Sequence, residues 1–426
     1  MATSKKPRKP KASKAYVRAP AENPDTKKKP AWDAFDYIVA NAERANQNPW
    51  IKKPDGQLVF APDYQTLEQL LGVPLHFRAS IRSGVPALAL DVWLSYELRR
   101  AGFDKDTVWP RATHPRILPT AVAKLLRQLE KIKPSLADQL HDFVEQESSI
   151  KGVTSASASI LGKLYLKQVD VIMSDWVTGP ELLISTKRID SSYAKNAPNR
   201  IEESYGDAKN LRLRHPLAAL GFVFAARSDI LSDKNRMTSE WLKDSISKLG
   251  REEDAYHATC FLLIDYPEEL LVKEKPEDAQ DDVEGDGIPE PGNQDDSEED
   301  EDLDAVDSEP ALPAAGDGAV VGGVGTTEDV KLIVGRLPTV KILLDEVPEQ
   351  LSPARLLSTL IMRVLEASPV NMHVHARALR HAVSRRDVDD TPASALTAAP
   401  ALTSAPAPAP ESPAGSMPLF DAGSGA

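Results

Sequence analysis

Two short segments with alternating apolar residues constrain the fold of this chain more than any other feature. Side chains on a β-strand point to opposite faces in turn, so residues two positions apart share a face. In the first segment, the apolar residues on one face are Val169, Val171 and Met173. In the second, one face carries Leu182, Ile184 and Thr186, and the other carries Leu183, Ser185 and Lys187. The pattern predicts two neighbouring strands from which Asp170 and Lys187 project.

A helix is predicted to follow these strands, at about residues 199–212. Apolar residues at helical spacing should face the sheet, and here they are Ile201, Tyr205 and Ala208. At about 100° per residue, Glu202 would flank that face and Glu203 would point outward. The helical wheel therefore favours Glu202 as the acid beside the two strands. The alternatives are Glu203, or no site at all and two ordinary solvated acids.

An aspartate, a lysine and a second acid on adjoining elements suit the hydrolysis of a phosphodiester. Mg²⁺ prefers oxygen ligands, and carboxylates and backbone carbonyls supply them. The cation neutralises charge on the phosphate and lowers the pKa of a bound water. A lysine near that water can orient it or stabilise the negative charge that develops. The residue types at these positions therefore predict a Mg²⁺ site.

The arrangement of Asp170 followed by Ser185-Thr186-Lys187 resembles the PD-(D/E)xK nuclease superfamily, the fold of many type II restriction endonucleases. The resemblance covers roughly residues 130–270 and 335–370. Val169 stands at the position of the motif proline, and Ser185 stands at the position of its second acid. Some restriction enzymes share this S-x-K form and carry the missing glutamate on the next helix, where Glu202 and Glu203 stand here.

The resemblance implies a Mg²⁺-dependent DNA endonuclease that acts on double-stranded DNA, with a homodimer as a further expectation. The implied metal ligands are Asp170, the Thr186 carbonyl and Glu202 or Glu203, and Lys187 would orient the attacking water. A helix glutamate before the strands, Glu145 or Glu147, is a further candidate ligand. Ser185 keeps a second interpretation open, in which the chain is a non-catalytic DNA-binding or scaffold protein.

The charge distribution is compatible with a nucleic-acid partner. The net charge is −13, but 17 Asp and Glu residues lie between Pro276 and Glu309 with no Lys or Arg, so the remainder carries +4. Basic residues near the predicted site suit contacts with phosphates; they are Arg200, Lys209, Arg212 and Arg214. The single cysteine, Cys260, excludes a disulfide framework and a cysteine-based metal site.

The predicted fold class is α/β: a mixed sheet flanked by helices, with a mainly helical N-terminal domain and disordered tails. The predicted segments are a basic tail (1–30), a helical domain (31–130), the first part of the core (131–273), a disordered acidic insertion (274–334), the last strand and helix of the core (335–384) and an Ala/Pro-rich tail (385–426). The single cysteine fits a reducing cytoplasm, which is the expected location, and no apolar run is long enough to span a membrane.

The C-terminal tail contains one small apolar cluster, which consists of Met417, Leu419 and Phe420. It resembles the short peptide that bacterial replication proteins insert into the sliding clamp. Ser416 replaces the leading glutamine of that peptide, and a chance match is the favoured interpretation.

Overall fold

The structure is a computed structural model that describes residues 25–80, 83–145, 158–272 and 327–389. Short strands alternate with helices along these ranges. The helices are α1 (Asp25–Ala40), α2 (Tyr64–His76), α3 (Val85–Arg100), α4 (Thr120–Ile132), α5 (Pro134–Glu145), α6 (Tyr193–Arg212), α7 (Arg236–Leu249), α8 (Thr327–Val334), α9 (Pro353–Ala367) and α10 (Val374–Asp389). The strands are β1 (Trp50–Lys52), β2 (Leu58–Phe60), β3 (Val108–Trp109), β4 (Ser159–Leu161), β5 (Leu166–Gln168), β6 (Val171–Asp175), β7 (Gly179–Ile189), β8 (Ala219–Arg227), β9 (Ala258–Asp265) and β10 (Lys341–Ile342).

The main sheet has six strands in the order β10-β9-β8-β7-β6-β3. Strands β7, β8 and β9 are parallel, whereas β3, β6 and β10 pair antiparallel with their neighbours. The predicted α/β class with a mixed sheet flanked by helices is therefore confirmed. The two predicted strands form the antiparallel hairpin β6–β7, and α6 connects β7 to the parallel strand β8.

The alternation of side chains along the strands separates the core into two layers. Leu182 and Ile184 of β7 belong to the cluster that includes apolar residues of α3 and α9, whereas Leu183 belongs to the cluster that includes α6 and α7. One detail of the predicted pattern was wrong, because Val169 and Val171 lie in different clusters. The chain bends at Asp170, between β5 and β6, so the alternation does not continue through that residue.

The predicted helical domain does not have a core of its own. Apolar residues of α1, α2 and α3 join the same cluster as one face of the main sheet. Val108 and Trp109 form the edge strand β3, which pairs with β6. Within the described residues, α4 and α5 add a small separate cluster, built from Leu118, Ala123, Leu126 and Val144. Residues 31–130 and the sheet are therefore one folding unit, and no boundary between two cores falls at residue 130.

Three further limits of the predicted segments need correction. Helix α1 begins at Asp25, inside the predicted basic tail, and α8 occupies the end of the predicted insertion. Helix α10 continues past residue 384 to Asp389. The rest of those predictions falls in residues 1–24, 273–326 and 390–426, outside the described ranges, as do Met417, Leu419 and Phe420.

The return to ordered structure after the acidic segment was predicted correctly. Ser352 caps α9, since its Oγ accepts a hydrogen bond of 3.2 Å from the Arg355 N–H. The strand predicted before α9 is reduced to the two residues of β10. Within the described ranges, no helix combines the length and the apolar character needed to cross a membrane.

Candidate active site

Asp170 directly precedes the first residue of β6. At this level the pairing of β6 with β7 ends, and β7 continues beyond it. The pairing of β6 with β7 starts at Val171 opposite Ile184, so the described part of the chain places no β6 residue beside β7 beyond that point. The bend at Asp170 turns its side chain towards this part of β7, where Oδ2 accepts a hydrogen bond of 2.7 Å from the Thr186 N–H. The carboxylate therefore satisfies a backbone donor that the sheet leaves without a strand partner.

A second carboxylate reaches Thr186 from the other side. The Thr186 hydroxyl donates a hydrogen bond of 2.7 Å to Oδ1 of Asp91, which lies in α3. Asp91 is only 6% exposed. Burial and the nearby charge of Asp170 raise the pKa of Asp91 well above its usual range, although the hydrogen bond from Thr186 opposes this. Two acids from elements distant in sequence thus converge on one residue of β7.

The sequence interpretation did not include Asp91 among the site residues. The helix around it reads ALALDVWL, and a lone carboxylate within such an apolar run was the available signal. Buried carboxylates are rare unless they are paired or bind a cation. No ion pair joins Asp91 to a basic side chain in the described ranges.

Lys187 projects to the opposite face of β7, towards α6. Its Nζ lies 2.7 Å from Oε1 of Glu203. Glu203 also pairs with Arg200 at 3.1 Å and approaches Lys167 Nζ at 3.7 Å. Partial burial works to raise the pKa of Glu203, but the surrounding cations outweigh it and hold the pKa below its usual value. Glu203 is therefore an ionised acid shared by three basic side chains.

The helical-wheel prediction for α6 was wrong. Glu202 is exposed, and Glu203 faces the site. The helix begins at Tyr193, six residues before the predicted start, so its phase differs from the expected one. Tyr205, expected against the sheet, is 39% exposed. The residues that α6 buries are Tyr193, Ala197, Ser204, Asp207, Ala208, Asn210 and Leu211.

A buried ion pair between Lys167 and Asp207 lies next to Glu203 on the protein side. Lys167, in β5, lies 3.0 Å from Oδ2 of Asp207, and both side chains are almost fully buried. The Tyr165 hydroxyl donates a hydrogen bond of 3.0 Å to Asp207. The bend at Asp170 makes this arrangement possible, because it lets β5 approach α6 while β6 enters the sheet. These three residues were also absent from the sequence interpretation.

The four basic residues expected to contact DNA are not all near the site. Arg200 contacts Glu203, and it is the one of the four that is joined to the site. Lys209 pairs with Asp254 and lies over the Tyr205 ring. Arg212 contacts His257, before β9, and Arg214 is exposed beyond the end of α6.

The expected Mg²⁺ ligands fit this geometry only in part. Glu202 points away, and Glu203 is already bonded to basic side chains. Asp170 and Asp91 provide two carboxylates around Thr186. The N–H and C=O of one residue in an extended strand point to the same edge, so the Thr186 carbonyl should face the same edge as Asp170. These three oxygen donors are the set that suits a hard cation.

The described residues leave the remaining candidate ligands, Glu145 and Glu147, untested. Within the ranges that the structure describes, no group of three or more His, Cys, Asp or Glu side chains is arranged to hold a metal ion. The Glu145 side chain and the whole of Glu147 lie outside the described part. A cation at this edge would thus depend on two carboxylates, the backbone and water, which is common for Mg²⁺.

The fold and site define an α/β protein with an acid–threonine–lysine cluster at the edge of a mixed sheet. Comparison with protein-family models, curated proteins and solved structures gave no match for this chain.

Proposed function

We propose that this protein is a Mg²⁺-dependent DNA endonuclease of restriction type, which hydrolyses phosphodiester bonds in double-stranded DNA. The observation that carries the proposal is the convergence of Asp170 and Asp91 on Thr186, with Lys187 next in the strand. The chain carries an acid, a lysine and a glutamate on successive elements: Asp170 beside β6, Lys187 in β7 and Glu203 in α6. This is the order that the resemblance to the superfamily requires. A homodimer and a cytoplasmic location belong to the same proposal.

Asp170, Asp91 and the Thr186 carbonyl would hold the cation. Asp91 is buried beside a second acid, an arrangement that favours either a bound proton or a bound cation. When bound, Mg²⁺ would neutralise charge on the phosphate and lower the pKa of a coordinated water. This ligand set differs from the expected one, because a helix acid before the strands replaces Glu202 and Glu203.

Lys187 would orient the attacking water or stabilise the negative charge that develops on the phosphate. Its ammonium group is held at Glu203 Oε1, which restricts it to the α6 side of β7. Lys167 and Asp207 fix the position of Glu203 from within the protein. Glu203 is thus a positioning residue for Lys187 in this proposal, and Arg200 is the nearest candidate for a contact with a DNA phosphate.

A second candidate is a non-catalytic DNA-binding or scaffold protein. Ser185 occupies the position of an acid in the motif, and Glu203 is engaged by three cations. Both features reduce the number of carboxylates available to a metal. This function would use the basic side chains of α6, Arg200, Lys209 and Arg212, to contact DNA phosphates without cleavage of the DNA.

The test is incubation of the purified full-length chain with plasmid DNA, with and without Mg²⁺. Asp170→Ala and Lys187→Ala should each lower Mg²⁺-dependent cleavage by about 10²-fold or more, because each removes a charge needed at the reacting phosphate. Lys248→Ala is the matched control, since this lysine is 67% exposed on α7 and should leave cleavage unchanged. Binding of DNA without cleavage by the unmodified chain would favour the second candidate.

A further inference from the structure

A second concave site lies between α9, α10 and the β1–β2 hairpin. Its volume is about 410 Å³, within the range typical of small-molecule sites. The residues that line it are Trp50, Leu58, His257, Arg355, Ser358, Thr359, Met362, Arg363, Glu366 and Arg380. They come from segments distant in sequence, so the pocket exists only in the folded protein.

The pocket is strongly basic. Three arginines, Arg355, Arg363 and Arg380, line it against one glutamate, Glu366. In the described ranges, no ion pair joins any of these arginines to a carboxylate. Like charges held together without counter-charges repel one another, and an anion would relieve that repulsion.

Arg212 and His257 extend the basic environment at one end of the pocket. Burial and the positive charges of Arg212 and Arg363 lower the pKa of His257 to about 4. Burial and Arg363 also lower the pKa of Arg212. Arg212 of α6 and Arg363 of α9 therefore both raise the positive potential at the His257 end of the pocket. Protonation of His257 is unfavourable there, and a bound anion would be favourable.

Three buried donors in this pocket have no hydrogen-bond partner in the described structure. They are the indole N–H of Trp50 and the Nε–H groups of Arg363 and Arg380. Trp50 is only 3% exposed, and its indole nitrogen is buried in the wall of the pocket. A buried donor without a partner costs about 1–3 kcal/mol, and three such donors around one pocket are uncommon in a folded protein.

We propose that this pocket binds a small phosphate-bearing anion. A phosphate group carries several acceptor oxygens and matches the planar fork of an arginine in a bidentate manner. Inorganic phosphate, pyrophosphate and the phosphates of a nucleotide share this chemistry. The concave shape favours a small ligand over the backbone of a DNA duplex, which would need an open basic surface.

The pocket is separate from the proposed active site. Lys187 is in register with Phe224 of β8 and Phe261 of β9, whereas His257 lies four residues before Phe261. At about 3.3 Å per residue, the two levels are roughly 13 Å apart along the strands. The pocket also lies two strands away from β7 in the sheet. Its ligand is therefore not the phosphate at the reacting centre.

The test is calorimetric titration of the full-length chain with inorganic phosphate, pyrophosphate and ADP, in a phosphate-free buffer without Mg²⁺ or DNA. We expect binding that is at least 10-fold weaker in Arg363→Gln and in Arg380→Gln. Arg236→Gln is the matched control, because Arg236 is 73% exposed and pairs with Glu240 on α7. The relative affinities for the three ligands identify the source of the phosphate group.

Melting temperatures establish whether each variant is folded. Arg355→Gln serves as a further variant, because Arg355 is exposed at the rim and its loss should not disturb the core. Weakened binding in this variant would support the site even if the substitutions at Arg363 and Arg380 unfold the protein. No binding of any of the three ligands at millimolar concentration would overturn the proposal, as would equal affinities in the unmodified chain and the folded variants. In a separate titration, binding of duplex DNA that the same substitutions weaken, together with no binding of the three small ligands, would also overturn it.

The binding assay contains no DNA substrate or Mg²⁺. A failure of the nuclease proposal therefore leaves its result intact, and a failure of the pocket proposal does not affect the cleavage test.

Discussion

Lys187 Nζ and Glu203 Oε1 lie 2.7 Å apart, although the two residues are 16 positions apart and belong to a strand and a helix. The contact fixes the position of the lysine that follows Thr186 in β7. It also shows that Glu203 is the glutamate of α6 that contacts this lysine, whereas the adjacent Glu202 is exposed.

Glu203→Gln should lower Mg²⁺-dependent cleavage by about 10- to 100-fold, whereas Glu202→Gln should change it little. The amide keeps the size of the side chain but removes the charge that holds Lys187, and a charge-assisted hydrogen bond is about twice as strong as a neutral one. Initial rates at saturating Mg²⁺ measure the effect, with Glu202→Gln as the matched control. Loss of activity in Glu202→Gln alone would contradict the observed phase of α6.

Asp91→Asn should lower cleavage by about 10²-fold or more while the protein remains folded. Asparagine can still accept the hydrogen bond from Thr186, but it lacks the charge that a hard cation requires. Mg²⁺ should raise the melting temperature of the unmodified chain and have a smaller effect on this variant. Asp244→Asn, at an exposed position on α7, is the control. Full activity in Asp91→Asn would remove this residue from the metal site.

The stability of the Mg²⁺-free protein should decrease as the pH rises through the raised pKa of Asp91. Burial and Asp170 raise that pKa, so the folded chain binds the proton more tightly than the unfolded chain does. The associated stability is fully present below the unfolded pKa and is lost as the pH increases through the folded one. Melting temperatures between pH 4 and 9 should show a smaller decrease for Asp91→Asn. Identical pH profiles would contradict this coupling.

Replacement of residues 274–326 by a Gly/Ser linker should preserve folding. This segment includes the 17 acids and few large apolar residues, a composition that cannot support a core. A linker of about twenty residues reaches roughly 25 Å. The acids repel DNA, so their removal should also tighten non-specific DNA binding at low salt. A large decrease in melting temperature on this replacement would show that the segment is structural.

A longer deletion, through residue 334, is the matched comparison. It removes α8, in which Val330 is buried and Ile333 and Val334 pack against the main core. Loss of these contacts should cost on the order of 2 kcal/mol or more. Thermal or urea unfolding should therefore separate the two deletions, and equal stabilities would contradict a role for α8 in the core.

Local patterns in the sequence predicted much of the fold. The alternation around Leu183 predicted β7. The apolar runs in the sequences of β8 and β9 are typical of buried strands, and β8 pairs in parallel with β7 on one side and with β9 on the other. Gly250 directly follows the last residue of α7, and Ser352 caps α9, and both residue types favour these positions. Each of these features depends on residues close together in the chain, which is why they could be predicted from sequence.

The site was predicted less completely, because its contacts span long separations. Asp91 and Thr186 are 95 residues apart, and no local pattern links them. The start of α6 was placed too late because Pro198 and the asparagines beside it resemble a helix start. Packing of Tyr193 and Ala197 against the core outweighs the hydrogen bond that Pro198 cannot donate, and it sets a different helix phase. The different helix phase turns Glu203 towards the site and Glu202 towards solvent, the reverse of the prediction.

The position of Asp91 on α3 has a consequence for modularity. Helix α3 belongs to the N-terminal region, yet it supplies one of the two carboxylates at Thr186 and packs in the same core as the sheet. The region before β3 is therefore not a separate module that could be exchanged while the sheet and its site are kept. Recombination with a related chain would preserve the site only if α3 and the β6–β7 hairpin came from the same parent.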